Sequence, residues 1–179
     1  MHPRTRELLA HLESCHAELD AAIAAVPEAS RDQAPAAERW SVANIVEHLA
    51  LTAGQVASLL SRGLRQLERD GLRPATDDSP VLPTIDAARL LDRQQKVTAP
   101  ATVAPRNALA CALAMQTLAD SRRALADALR AADGIDVSSI RAPHPALGEL
   151  GFHGWVAFVG LHERRHTAQV KDSAALLSS

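Results

Sequence analysis

The chain has 179 residues, of which 47% are hydrophobic and only 2% are aromatic. This length suits one domain and allows a core large enough to fold without disulfides or a structural metal. The hydrophobic content excludes a disordered protein, and the scarcity of aromatic residues argues against an all-β fold. With 19 basic and 21 acidic residues, no basic surface for nucleic acid is indicated. The sequence therefore predicts one domain over residues 1–179, without a nucleic-acid partner.

The cysteines and the N-terminal segment bear on the cellular location. Cys15 and Cys111 match neither a zinc-ribbon spacing nor a CxxC redox motif, which predicts two reduced, buried thiols. The N-terminus carries charge where a signal peptide needs an apolar run. The chain contains no run of 18 apolar residues, so no membrane span is predicted. These features predict a soluble cytoplasmic protein without a membrane partner.

Two long helices are predicted in the first part of the chain. Apolar residues at spacings of three and four predict the first helix over about 4–26, and a proline ends it. The second helix begins at Ser41, whose hydroxyl can cap it, and ends near Gly71. Trp40 and Ile45 flank this start at the positions of a hydrophobic staple.

The second part of the chain contains a long connection and two more helices. Prolines recur through residues 72–105. We interpret this segment as a long crossover whose length suggests that it covers another feature. A short helix is predicted inside it, over about 85–96. A third helix follows Pro105 and runs to Gly134, and a fourth runs over about 152–177. No alternation of period two predicts a strand. The pattern predicts an all-α, up-down four-helix bundle with a long crossover between helices 2 and 3.

Two histidines stand one turn apart in the segment GLHERRHTAQV of the fourth helix. Their spacing places His162 and His166 on one face, inside the apolar stripe of that helix. Buried imidazoles need partners for their nitrogens. A metal ion would satisfy both rings, and so would hydrogen bonds to carboxylates or water, so that both interpretations stay open.

The string HERRH also fits the HExxH motif of zinc proteases. That motif needs a further ligand downstream, yet only 13 residues follow His166. Gln169 and Asp172 occupy the glycine and third-histidine positions of the extended motif, which argues against a protease. A third ligand must come from upstream, and His48, on the flank of the second helix, is the best candidate.

Other polar residues allow two interpretations each. Glu163 lies near the edge of the face that carries the two histidines, either as a base or as an exposed carboxylate paired with an arginine. Arg122 interrupts the apolar stripe of the third helix, either as an edge side chain or as a cation facing a substrate. His144 and His153 are expected at the surface or at a pocket mouth. The remaining histidines are expected to be solvated: His2, His11 and His16.

Three segments together carry a resemblance to a known family. RWSVANIVEHLA, HPALGELGFHGWVAF and LHERRHTAQV resemble the DinB-like superfamily, which includes metal-dependent hydrolases and low-molecular-weight-thiol S-transferases. The resemblance extends over about residues 4–176. It implies an up-down bundle with one divalent transition metal, Zn, Ni or Fe, held by His48, His162 and His166 with water completing the shell.

The same resemblance implies a function for the chain. It indicates a metal-dependent thiol S-transferase or hydrolase. Glu163, from its position near the edge of the histidine face, is the candidate catalytic residue. The resemblance further implies a small-molecule substrate, which includes the option of a low-molecular-weight thiol, and a homodimer as in similar proteins. The alternative is a bundle with or without metal that binds or serves as a scaffold and has no catalysis.

Overall fold

Helices dominate the part of the chain that the computed structural model describes, residues 1–94, 98–106 and 109–177. The elements are α1 (Pro3–Ala24), α2 (Val42–Asp70), α3 (Ala87–Leu91), α4 (Cys111–Ala131), β1 (Arg141–His144), β2 (Gly148–Gly151) and α5 (Phe152–Leu177). The predicted helical fold is confirmed, with a fifth, short helix beside the four long ones. Within the described residues, no helix combines the length and the apolar character that crossing a bilayer requires.

The long helices pack in two pairs. The α2 helix lies mainly along α4 and the α1 helix along α5, and contacts between α2 and α5 join the pairs. The predicted cap of α2 is confirmed as a capping box. The Asn44 backbone N–H donates to the Ser41 hydroxyl oxygen at 3.1 Å. The Ser41 N–H donates to the Asn44 amide oxygen at 3.3 Å.

Two apolar clusters form the core. The hairpin-side cluster includes Leu12, Leu60, Leu125, Phe152 and Val156. The cap-side cluster includes Leu19, Ile23, Ile45, Leu118 and Val170. Fully burying one such side chain contributes about 1.5–3 kcal/mol.

Polar side chains occupy the helices at or next to the boundary between these clusters. We call this set the polar layer; it consists of His16, His48, Arg122, His162, Glu163 and His166. All four long helices contribute to it. The chemistry-bearing residues therefore lie between two apolar regions that stabilise the bundle.

A β-hairpin connects α4 to α5, and the expectation that the chain has no strand is wrong. The strands β1 and β2 pair antiparallel, with Arg141 opposite Gly151 and His144 opposite Gly148. Gly148 has a φ of 74°, which suits glycine in a tight turn. The hairpin escapes prediction because its strands have four residues each and prolines obscure any alternation.

The crossover between α2 and α4 differs from its prediction in detail. The short helix covers only Ala87–Leu91, because Asp86 caps it and Asp92 is already extended. Its predicted end at Lys96 lies outside the described residues. The α4 helix begins at Cys111, whose backbone N–H donates to the Asp32 carboxylate, later than the predicted start after Pro105.

In α1, His11 is buried and His16 is half-buried, which corrects the expectation that both are solvated. His11 is 9% exposed and its Nε2 donates to the Ala157 carbonyl of α5 at 3.2 Å. The side chain of His16 is 21% exposed. Gly160 allows this close approach of α1 to α5, since a Cβ there would lie 2.4 Å from His11 Nε2.

We predict that Gly160→Ala lowers the free energy of unfolding by about 1–3 kcal/mol, because the added methyl overlaps a ring held in place by packing and a hydrogen bond. Chemical denaturation measures the effect.

Gly154→Ala on the same helix is the matched control. A Cβ at that position meets its neighbours at an ordinary 3.7 Å, and alanine favours helix. We expect no loss of stability for this variant. Equal stability of the two variants would contradict the packing of His11 against Gly160.

Candidate metal centre

Three histidines converge between α2 and α5. His48 and His166 are buried and His162 is partly exposed, and one ligand atom from each ring lies within 4.8 Å of the other two. The Nε2 atoms of His48 and His162 are 2.9 Å apart. The structure therefore brings together the three residues that were expected to share a metal.

Second partners orient two of these rings. His48 Nδ1 lies 2.7 Å from the Val103 carbonyl oxygen, and His166 Nδ1 lies 2.8 Å from the Gln169 amide oxygen. A carbonyl oxygen accepts only, so each Nδ1 carries the ring proton and donates it. Each Nε2 is then left with a lone pair, as a metal ligand requires.

The three imidazoles are neutral at pH 7. Burial lowers the pKa of His48, and the hydrogen bond to Val103 opposes this effect in part. Burial, and the repulsion that protonated His166 and His48 would add, hold the pKa of His162 well below its usual value. Burial, and the repulsion that protonated His48 would add, lower the pKa of His166 to about 3. A neutral imidazole is the form that binds metal.

Aromatic rings flank the three histidines on two sides. The Trp40 ring lies 5.0 Å from the His48 ring and stacks near His166, with centroids 6.3 Å apart. The Phe158 ring stacks on His162 at 5.1 Å. Trp40 also packs against the cap-side cluster, so this residue serves both the helix start and the site.

The donor set fits a divalent transition metal. Among the described residues, the group holds three imidazoles and neither a carboxylate nor a thiolate. Imidazole nitrogens suit zinc, nickel and iron. The Nε2 atoms of His48 and His162 are 2.9 Å apart, and since His48 Nε2 carries no proton, His162 Nε2–H donates to it when no metal is bound. A cation held by both rings would displace this proton, as metal binding to imidazole requires.

Glu163 points away from the three histidines. Its carboxylate is 1% exposed and accepts from Arg122 Nη2 at 2.8 Å and from Arg122 Nε at 3.1 Å. The expected pairing with an arginine is present, but the expected exposure is wrong because α4 covers this face. A catalytic role for Glu163 stays a prediction, and this pairing argues against it.

Arg122 is held by two acids instead of facing a substrate. It also donates to Asp20 of α1 at 2.9 Å, and its side chain is 13% exposed. Burial raises the pKa of Glu163, against the lowering effect of Arg122. His16 Nε2 lies 3.6 Å from the same carboxylate. This ionic cluster ties α1, α4 and α5 together on the far side of the polar layer.

The two groups that orient His48 and His166 were not expected in this role from the sequence. Gln169 follows His166 by three residues, a helical spacing that could have indicated the contact. The Val103 carbonyl belongs to the crossover, and no side-chain pattern could reveal it. The crossover therefore covers the histidine site, in agreement with the expectation that its length serves to cover another feature.

A helical protein with a three-histidine group is the class that this fold and site define. The sequence profile of the DinB superfamily matches residues 11–170, and the chain belongs to this superfamily. The protein named "Uncharacterized protein YuaE" of Bacillus subtilis (strain 168) is 27% identical over 142 residues, covering 79% of this chain and 81% of that relative. No solved structure matches significantly.

The lowered histidine pKa values predict that the metal-free protein loses stability as the pH falls below about 6.5. The unfolded chain then binds protons that the folded chain excludes, so the free energy of unfolding decreases. Each such histidine contributes a slope of up to about 1.4 kcal/mol per pH unit. Denaturation in chelator between pH 7.5 and 5 measures the slope.

His166→Gln should reduce this slope, because the variant removes one buried group that resists protonation. A wild-type stability that is constant from pH 7 to 5 would contradict the neutral, buried state of the histidines.

Proposed function

We propose that this protein is a metal-dependent enzyme that transfers a low-molecular-weight thiol to an electrophilic small molecule. One divalent transition metal, zinc, nickel or iron, is bound by His48, His162 and His166. The observation that carries the proposal is the convergence of three neutral imidazoles, two of them oriented through Nδ1 by Val103 and Gln169.

The ligand count supports a catalytic site over a purely structural one. Three protein ligands leave room for a substrate, whereas structural zinc sites are closed by four. His162 is the partly exposed member of the group, which indicates the side from which a small molecule approaches. A bound divalent cation would lower the pKa of a thiol or a water molecule there.

The position of Glu163 favours transfer over hydrolysis. Activation of water for attack on an amide or ester benefits from a general base next to the reacting centre. Glu163 is bound to Arg122 on the far side of the polar layer, and no carboxylate of the described residues belongs to the histidine group. A thiol needs only to lose its proton to become a strong nucleophile.

The proposed reaction is a substitution at carbon. The thiol releases its proton to solvent, and its sulfur attacks the electrophilic carbon of the second substrate. A carbon–sulfur bond forms while the bond to the leaving group breaks. The leaving group takes the electron pair and then a proton.

We predict that the purified protein binds one equivalent of divalent metal, and that His48→Ala, His162→Ala and His166→Ala each abolish or greatly weaken this binding. Cobalt(II) or nickel(II) quenches nearby indole emission, and Trp40 lies beside His48 and His166. A titration of Trp155→Phe protein, in which Trp40 is the single tryptophan, measures the affinity.

Arg164→Ala is the control for this titration, because Arg164 pairs with Glu18 at the surface and should leave the binding unchanged. Circular dichroism verifies that each variant is folded. A folded wild type that binds neither cobalt, nickel nor zinc would contradict the proposal.

We predict further that the metal-loaded protein consumes thiol and electrophile in equal amounts. Glutathione, bacillithiol and mycothiol, each offered with a chloronitroarene, provide the assay. Chelator or His162→Ala should lower the rate at least a hundredfold, because both remove the site that deprotonates the thiol.

Two other outcomes would assign a different function. Release of product from an ester or amide without thiol would identify a hydrolase. A metal-loaded protein that is inert with all thiols, electrophiles, esters and amides would indicate a binding role without catalysis.

A further inference from the structure

His144 lies near the three histidines without belonging to their group. It ends strand β1, and its ring contacts Phe158 with a centroid distance of 4.5 Å. Phe158 in turn stacks on His162 at 5.1 Å. One aromatic ring therefore separates His144 from a candidate metal ligand.

Local hydrogen bonds fix the tautomer of His144. Its Nδ1 accepts the backbone N–H of Ala146 at 3.1 Å and that of Leu147 at 3.2 Å. An atom that accepts two N–H groups carries no proton, so the neutral ring holds its proton on Nε2. His144 is consequently unsuited to ligate a metal through Nε2 and is suited to donate from it.

The Nε2–H group of His144 is available to a ligand. Within the described part of the chain this donor has no hydrogen-bond partner, and the side chain is partly exposed. The indole N–H of Trp155, whose ring lies 5.3 Å from the His144 ring, also has no partner among the described residues but is buried. It is therefore not available to a ligand.

The hairpin holds this donor in a defined place. Residues 141–144 pair with residues 148–151, and Arg141 Nε donates to the Glu149 carboxylate at 2.6 Å. The ring also rests on two buried aromatic side chains of α5. Because the ring is already held in place, a hydrogen bond from Nε2 to a ligand costs little further ordering of the side chain.

We infer that His144 contacts the substrate and donates a hydrogen bond from Nε2 to an acceptor atom of the small molecule bound at the three-histidine site. This inference rests on the proposed function. It assigns a substrate class, namely thiols that carry a carbonyl or similar acceptor close to the sulfur.

Two substitutions separate the donor from the ring. His144→Phe keeps an aromatic ring against Phe158 and Trp155 and removes the Nε2 donor, together with the Nδ1 acceptor of the two turn N–H groups. His144→Gln brings an amide N–H close to the position of Nε2. Thermal unfolding and metal content, measured for both variants, establish that the comparison is made between folded, loaded proteins.

The experiment uses cobalt(II)-loaded protein with methyl thioglycolate and 1-butanethiol as probes. Both carry a thiol, but only methyl thioglycolate has a carbonyl acceptor. The near-ultraviolet charge-transfer band between sulfur and cobalt measures binding of each probe. We expect His144→Phe to weaken methyl thioglycolate about threefold to tenfold, the effect of one hydrogen bond, and to leave 1-butanethiol within about twofold. We expect His144→Gln to restore the affinity for methyl thioglycolate.

The outcomes distinguish this inference from the proposed function. If both thiols give bands and His144→Phe leaves the ratio of their affinities unchanged, the role of His144 is overturned while the proposed function stands. Failure of His144→Gln to restore a lost affinity would show that the ring packing, not the donor, matters, and would also overturn the role of His144. Absence of any band in loaded wild-type protein would contradict thiol binding and overturn both.

Discussion

The approach of His48 Nε2 to His162 Nε2, at 2.9 Å, is the constraint on which the rest of the site depends. The helices α2 and α5 must pack with a fixed axial offset and a fixed rotation about their axes to bring these two atoms together. Both rings must also be neutral, and desolvation lowers the pKa of each. The crossover must deliver the Val103 carbonyl to the far nitrogen of His48. The long connection between α2 and α4 is therefore part of the site.

The polar layer explains how the bundle accommodates this site. His162 and Glu163 are neighbours on α5 and face opposite sides, His162 toward the histidine group and Glu163 toward Arg122. A buried carboxylate is costly without a partner, and Arg122 with two hydrogen bonds provides one. The apolar clusters on either side stabilise the helices, so we expect the bundle to fold without metal.

The sequence predicted the helices and the histidine group well, because both depend on spacing along a helix. The period of apolar residues located the four long helices, and the spacing of His162 and His166 placed them on one face. His48 was predicted as the third ligand from its position on the flank of the second helix and from the family resemblance. These three residues are far apart in the chain but meet because α2 packs on α5.

The features that the sequence did not predict depend on contacts between helices, or on short strands, which residue spacing does not encode. The burial of His11 follows from the absence of a side chain at Gly160, which requires knowing that α1 packs on α5. The burial of Glu163 follows from Arg122 on a third helix. The strands of the hairpin are too short for a pattern of period two to emerge, and Pro143 interrupts the first of them.

X-ray absorption at the metal edge of the zinc-loaded protein identifies the atoms that bind the metal. We expect three imidazole nitrogens at about 2.0–2.1 Å, completed by a light oxygen or nitrogen ligand from solvent. In the presence of a thiol, one sulfur at about 2.3 Å should join them. A first shell with fewer than two imidazoles, or with sulfur in the absence of added thiol, would contradict the site of His48, His162 and His166.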